Sequence, residues 1–345
     1  MTPLRVNLLN IALMLASLGV ALVVPFELFL FSYAVLGPLH YLTEISWLHD
    51  RDYFLPERSL ALPIIVLTVL VTLCSGMLFE LGDDPISAAA AAWDPELRFA
   101  ALALSLVYVV ARTLEHRRVG VAALVVGLVA VHFLNRAWKA DSVGGALYNT
   151  YDLFFLLLLT TVVHVFVFTG AFVLLGALRG RSASGFASLA VFLACAGACF
   201  WIPAEGGGGV SDGVRSAYDA SSTMLNLYLS RLIDPEAMRV ANDVFESSLG
   251  ERTARFIAYA YTYHYLNWFS KTSVIKWHEV PRMRLLVVVG IWLVSLAVYA
   301  WDYLLGLGVL FFLSMLHVFL EFPLNWRSFI DIGGELRGYA RPAAD

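Results

Sequence analysis

The stretch YDLFFLLLLTTVVHVFVFTGAFVLLGAL, residues 151–178, decides the fold. Beyond Asp152 it holds no charged side chain, and its only imidazole, His164, sits at mid-span. About 20 apolar residues rising 1.5 Å each cross a hydrocarbon layer of about 30 Å, so this segment is a membrane helix. Segments of the same kind recur on both sides of it, and the candidate spans are 6–24, 26–47, 60–80, 97–115, 118–137, 151–178, 185–203, 253–270, 283–305 and 308–325. Composition agrees. Hydrophobic residues make up 60% of the 345 and charged residues only 14%, against about 25% charged in soluble domains. The expected fold class is all-α, a polytopic transmembrane helical bundle of about ten membrane helices with a small extramembrane helical cap. The net charge of −4 is dispersed, which excludes the basic footprint of a nucleic-acid binder.

Basic residues test this arrangement, because loops rich in Lys and Arg stay in the cytoplasm. Arg5, Arg51, Arg58, Arg117, Arg118, Arg179, Arg181, the run from Lys271 to Arg284, Arg327 and Arg337 fall on one side of a ten-crossing chain. The acidic loop at 82–85 and the glycine loop at 206–209 fall on the other, and only Arg136 and Lys139 oppose the rule. The expectation is a multi-pass protein of a bacterial inner membrane with both termini cytoplasmic. The apolar run from Asn7 to Val24 reads as a retained first helix rather than a signal peptide, with a tight turn at Pro25. The organisation reads as 1–203 for helices one to seven, 204–250 for an amphipathic extramembrane insertion, 251–330 for helices eight to ten and 331–345 for a cytoplasmic tail. Within the insertion two amphipathic stretches are expected, 214–233 and 235–249, the second started by Asp234-Pro235 and ended by Gly250. Cys74, Cys195 and Cys199 show no CxxC spacing, which argues against a disulfide framework or a structural zinc. No internal repeat is visible.

Ionisable side chains inside a span are costly and mark function by default. Counted from the inner helix ends, His40 lies about 10 Å deep, His264 about 9 Å and His317 about 12 Å, at 1.5 Å per residue. Three histidines on three helices thus reach one level from one side. Two carry the same local pattern, His40 followed by Glu44 and His317 followed by Glu321, and a spacing of four puts each pair on one helix face. Tyr261, His264, Asn267, Trp268 and Lys271 share a face of the eighth helix. His278 follows in the basic loop and is placed to fold back, and His164 stands open between a further ligand and a packing residue. His132 reads as structural and His49 as solvated. Tyr259, Tyr261, Tyr263 and Tyr265 crowd around His264, either lining a site or forming a belt at the headgroups.

Imidazole with carboxylate suits iron, manganese or zinc, with the carboxylates either binding the metal or orienting its histidines. The metal-ligand candidates are therefore His40, His264, His317, His278 and His164. The candidates for chemistry beside them are Glu44, Glu321, Tyr261, Asn267 and Lys271. The cofactor expected is non-haem Fe2+, other divalent metals being compatible. The expected partners are a lipophilic small-molecule substrate, membrane lipid and an electron donor of unknown kind, with no nucleic acid. Three other readings use the same residues: interhelical hydrogen bonds alone, a proton-coupled transporter, or axial ligation of haem in an electron-transfer protein.

Gly37-Pro-Leu-His40-Tyr-Leu-Thr-Glu44 resembles the first motif of the Brp/Blh family of membrane β-carotene 15,15′-dioxygenases, with Glu44 standing where that family has Asp. Tyr261-Thr-Tyr-His264, running on to Trp277-His278, is similar to the family's later histidine motif, and His317 to Glu321 is similar to its last. The three patches cover about a tenth of the chain; the family's middle histidine motif has no clean equivalent, and the 211–250 insertion has no counterpart. The resemblance implies a polytopic iron-dependent oxygenase acting on an apolar substrate, carotenoid-like or lipid.

Overall fold

The computed structural model describes residues 2–76, 85–141, 150–206, 209–236, 242–271, 276–277 and 279–339. Those residues are almost wholly helical and include no strand. Helix α1 is Pro3–Val23. Thr2 caps it by accepting from the Arg5 N–H, and Pro3 occupies the first turn, where its missing N–H costs nothing. The chain breaks at Val24 and restarts at Pro25, as expected, in α2 (Pro25–Phe31).

From α2 the backbone widens into a π-turn at Ser32–Leu36 and re-enters α-geometry as α3 (Gly37–His49). Pro38 explains the widening. A proline inside a helix removes one backbone bond and drives its ring against the carbonyl four residues back, here that of Ala34. The Gly37 N–H instead bonds the Ser32 carbonyl, five residues back. Then follow α4 (Ala61–Cys74), α5 (Pro85–Ala91), α6 (Asp94–Val110), α7 (Leu114–Asp141) and α8 (Thr150–Leu153). A long π-wound stretch, Phe154–Phe168, leads into α9 (Thr169–Gly180), which ends on Arg181 in the left-handed region at φ 42°. Helix α10 (Ala183–Trp201) is capped by Ser182. The remaining helices are α11 (Asp212–Ser221), α12 (Thr223–Ile233), α13 (Asp243–Glu246), α14 (Ser248–Ser270), α15 (Arg282–Trp301) and α16 (Tyr303–Tyr339).

Among the described residues, seven segments are long and apolar enough to cross a membrane: Pro3–Val23, Pro25–His49, Leu114–Ala137, Thr150–Gly180, Ala183–Trp201, Arg282–Trp301 and Tyr303–Gly338. The chain is therefore an integral membrane protein, and the expected count of ten is not reached among the described residues. The apolar helix Arg58–Cys74 is shorter than these. Helix α6 opens with the buried charges Asp94, Glu96 and Arg98. Helix α14 is too polar on average, because its hydroxyls and imidazole point into protein rather than lipid. The last span does not stop at 325. Helix α16 carries Pro323 within it and continues to Tyr339, over much of the segment expected to be a tail.

The chain divides into two compact units. The first comprises Met1–Thr43, Val162–Leu307 and Asp331–Asp345; the second comprises Glu44–Thr161 and Gly308–Ile330. In the first, α14 is the centre, packed by α1, α2, α10, α12 and α13. Its face toward α1 and α10 is tied by hydrogen bonds from Tyr263 Oη to Asn10 Oδ1 (3.2 Å) and from Tyr259 Oη to the Phe192 carbonyl (3.1 Å). Ser32 and Thr262 pair at 2.7 Å, and Ser230 and Thr253 at 2.8 Å. Tyr259, Tyr261, Tyr263 and Tyr265 are all buried, so they form a core and not a headgroup belt. Arg179 at the end of α9 reaches Asp331 at 2.6 Å and anchors the last turns of α16.

The insertion differs in detail from its sequence reading. The stretch 214–233 is two helices, broken at Ser222, and residues 237–241 lie outside the described residues. Gly250 is not a stop signal but stands in the first turn of α14, under the Ser247 cap. Asn226 Nδ2 donates to its carbonyl at 3.0 Å, and a methyl group added there would fall on the Val244 backbone. Helix and turn meet too closely for any other residue.

In the second unit α6 packs between α4 and α7. Trp326 of α16 donates to the Leu102 carbonyl at 3.0 Å. Arg98 forms a two-pronged ion pair with Asp94 (2.8 and 3.0 Å) and donates to Thr160 Oγ1 at 3.2 Å.

Gly250→Ala is expected to destabilise the protein by about 1–3 kcal/mol, the usual cost of overpacking. Thermal unfolding in detergent, with the exposed-site change Gly213→Ala as control, measures it.

Candidate metal centre

Three buried imidazoles meet inside the first unit. They come from α3 (His40), the π-wound stretch (His164) and α14 (His264), and one ligand nitrogen of each lies within 4.8 Å of the others. His40 Nε2 and His264 Nε2 are 3.0 Å apart. Ring centroids are separated by 4.7 Å for His40 and His264 and by 4.8 Å for His164 and His264. Two imidazoles bound side by side to one ion, at about 2.1 Å and a right angle, would set their nitrogens about 3.0 Å apart. The donor set therefore fits a first-row divalent ion. The same spacing also suits one imidazole N–H donating to the other ring.

Local sequence explains how each ring arrives there. The π-turn ahead of Gly37-Pro38 shifts the face that α3 presents, and His164 rides on π-wound backbone. Such segments are costly and gather at functional sites. Gly37 lets α3 and α14 close on each other. A Cβ there would stand 2.8 Å from Tyr41 Oη and 3.3 Å from Tyr265 Oη, and those hydroxyls bond each other at 3.1 Å. Around His40, Tyr265 packs at 5.1 Å and the Trp268 edge at 5.4 Å, with the Trp268 N–H donating to Thr43 Oγ1 at 3.0 Å. Aromatic rings thus hold His40 and keep water from it.

His264 is oriented by a residue that sequence reading missed. Thr169 Oγ1 lies 2.8 Å from His264 Nδ1. If that nitrogen carries the proton and donates to the hydroxyl, the Nε2 lone pair is left facing His40 and His164. The threonine begins α9, one residue after the π-wound stretch ends. Nothing in its sequence neighbourhood signals the contact, which depends on how two distant helices pack.

The second unit holds the other half of the expected set. The Glu44 and Glu321 carboxyls lie within electrostatic reach of each other. Donor atoms of Glu44 and His317 come within 4.8 Å. Asn325, also unforeseen, donates to Glu321 Oε2 at 3.4 Å. Glu44 follows His40 by one turn on α3, and Glu321 follows His317 by one turn on α16.

The remaining candidates spread out. Tyr261 is buried against Phe29 (5.1 Å) and Tyr33 (6.0 Å). Asn267 belongs to a network with Tyr263 Oη (3.5 Å), Asn10 and Ser270. Lys271 sits at the C-cap of α14, where desolvation pulls its ammonium down to about 8. His278 lies outside the described residues. His132 is buried, whereas His49 bonds Tyr53 Oη at 2.9 Å in the turn after α3. No protein-family model, no curated protein and no solved structure matches this chain.

Thr169→Val is expected to weaken metal binding about 10- to 100-fold, as loss of an orienting partner does, while Thr169→Ser restores it. Metal titration with a competing chelator distinguishes the two.

Proposed function

We propose that this protein is a membrane metalloenzyme that holds a non-haem iron ion with His40, His164 and His264 and oxidises a lipophilic substrate, carotenoid-like or lipid. The observation that carries the reading is the convergence of three buried imidazoles from three separated segments, with ligand nitrogens within 4.8 Å. Such a concentration of buried imidazole is costly without a partner. Iron bound to histidines supplies open coordination positions at which dioxygen is activated.

The residues of the chain divide the remaining work. Thr169 fixes the ring of His264. Tyr265 and Trp268 pack against His40 and exclude water. Glu44 and Glu321 place two carboxyl groups beside His317, available to accept or give up protons. The substrate arrives from the bilayer, since the seven membrane helices leave the apolar phase as the natural source of an apolar molecule. The resemblance of the Gly37–Glu44, Tyr261–His264 and His317–Glu321 segments to membrane carotenoid dioxygenases supports the same chemistry.

The neighbouring buried carboxyls also favour a second reading, a proton-coupled transporter in which these groups pass protons. Elemental analysis and an optical spectrum separate the two. Detergent-purified protein made with ample iron is expected to contain stoichiometric iron without a haem band, and His40→Ala, His164→Ala and His264→Ala are each expected to lose it while remaining folded. Wild-type protein free of metal would overturn the enzyme reading in favour of the transporter.

A further inference from the structure

A second buried polar cluster lies in the second unit, among residues that the proposed function does not use. Helix α6 and its N-cap supply Trp93, Asp94, Glu96 and Arg98; α7 supplies His132 and Asn135; the start of α8 supplies Tyr151 and Asp152. Asp94, Glu96, Arg98, His132, Asn135 and Asp152 are all at least nine-tenths buried. Two of the acids are accounted for. Asp94 is paired with Arg98 through both its oxygens, and Asp152 accepts from Asn135 Nδ2 at 2.9 Å.

Glu96 is not. It is 1% exposed, and neither carboxylate oxygen accepts a hydrogen bond. Its nearest base is His132, whose Nδ1 stands 3.4 Å from Oε1 and makes no hydrogen bond either. A charge-assisted hydrogen bond would draw the two to about 2.7–2.9 Å. The ring is not free to move in, because it lies flat on Trp93 at 3.7 Å with 8° between the planes. The Tyr151 hydroxyl, within electrostatic reach of Glu96, is buried without a hydrogen-bond partner as well.

Two ligand atoms on one tetrahedral ion, each at about 2.0–2.1 Å, stand about 3.4 Å apart. That is the spacing found. Charge agrees: Arg98 is engaged by both oxygens of Asp94, and a divalent cation offsets a Glu96 carboxylate. We propose that Glu96 and His132 bind a first-row divalent cation of the zinc class, with the Tyr151 hydroxyl beside it and water completing its shell. This site is distinct from the three-histidine centre and does not depend on it. Its position joins α6 to α7, so the ion would clamp those two helices together.

The test uses the full-length chain in detergent, with His264→Ala introduced to disable the three-histidine centre. Zinc is titrated against a chromophoric chelator. One zinc per chain is expected, and adding Glu96→Gln or His132→Gln is expected to weaken its binding at least about tenfold. Equal zinc uptake with and without those changes overturns the proposal, and so does absence of zinc uptake in the His264→Ala chain. Should the added substitutions prevent folding, cobalt(II) replaces zinc on the chain with Glu96 and His132 intact. Visible bands of a four-coordinate ion support the site, and their absence overturns it. Iron in wild-type protein is measured separately, so failure of the three-histidine reading and failure of this one give different results.

Discussion

An imidazole or a carboxyl group buried in a membrane protein has no water to turn to, and its polar atoms must find partners within the fold. Helix α14 is built around that constraint. It carries His264, four tyrosines and three further hydroxyl or amide side chains through the interior of the first unit, and its surroundings answer them one by one: Asn10 for Tyr263, the Phe192 carbonyl for Tyr259, Ser32 for Thr262, Tyr41 for Tyr265 and Thr169 for His264. Such bonds between membrane helices are worth about 1 kcal/mol each. Their larger effect is on register, because sliding α14 by one residue would separate all of them at once.

Backbone irregularity does the complementary work. An unbroken α-helix from Pro25 to His49 would place Pro38 against the Ala34 carbonyl. The π-turn at Ser32–Leu36 relieves that clash and turns the following helix, with the side effect that His40 faces α14. The π-wound backbone at Phe154–Phe168 presents His164 to the same place. Gly37 then allows the close approach in which the Tyr41 and Tyr265 hydroxyls meet. Proline, glycine and histidine in the segment from 37 to 40 therefore act as one device.

Much of this was legible before any coordinates. A run such as 151–178 can only be a membrane helix, since length and apolarity alone decide it, and seven such segments stand among the described residues. The prominence of His40 and His264 also followed from their cost in a membrane. The eighth expected span shows where averaging over residues fails. Helix α14 is long enough to cross a bilayer, but its polar side chains face protein, and composition does not say which neighbour pays attention to them. The helical run through Pro323 to Tyr339 was equally hidden, because it is tied down by Arg179, 152 residues away in sequence.

Sequence by itself determined the class of molecule, the approximate positions of its helices and the identity of the residues too polar to be idle. Those follow from transfer energies and helix geometry, which are local properties of the chain. Only the tertiary structure decided that His164 joins His40 and His264, that Thr169 orients the last of them, and that Glu96 and His132 face each other across 3.4 Å. Each of those contacts spans 36 residues or more and is set by helix rotation and register, for which a single sequence carries no periodic signal.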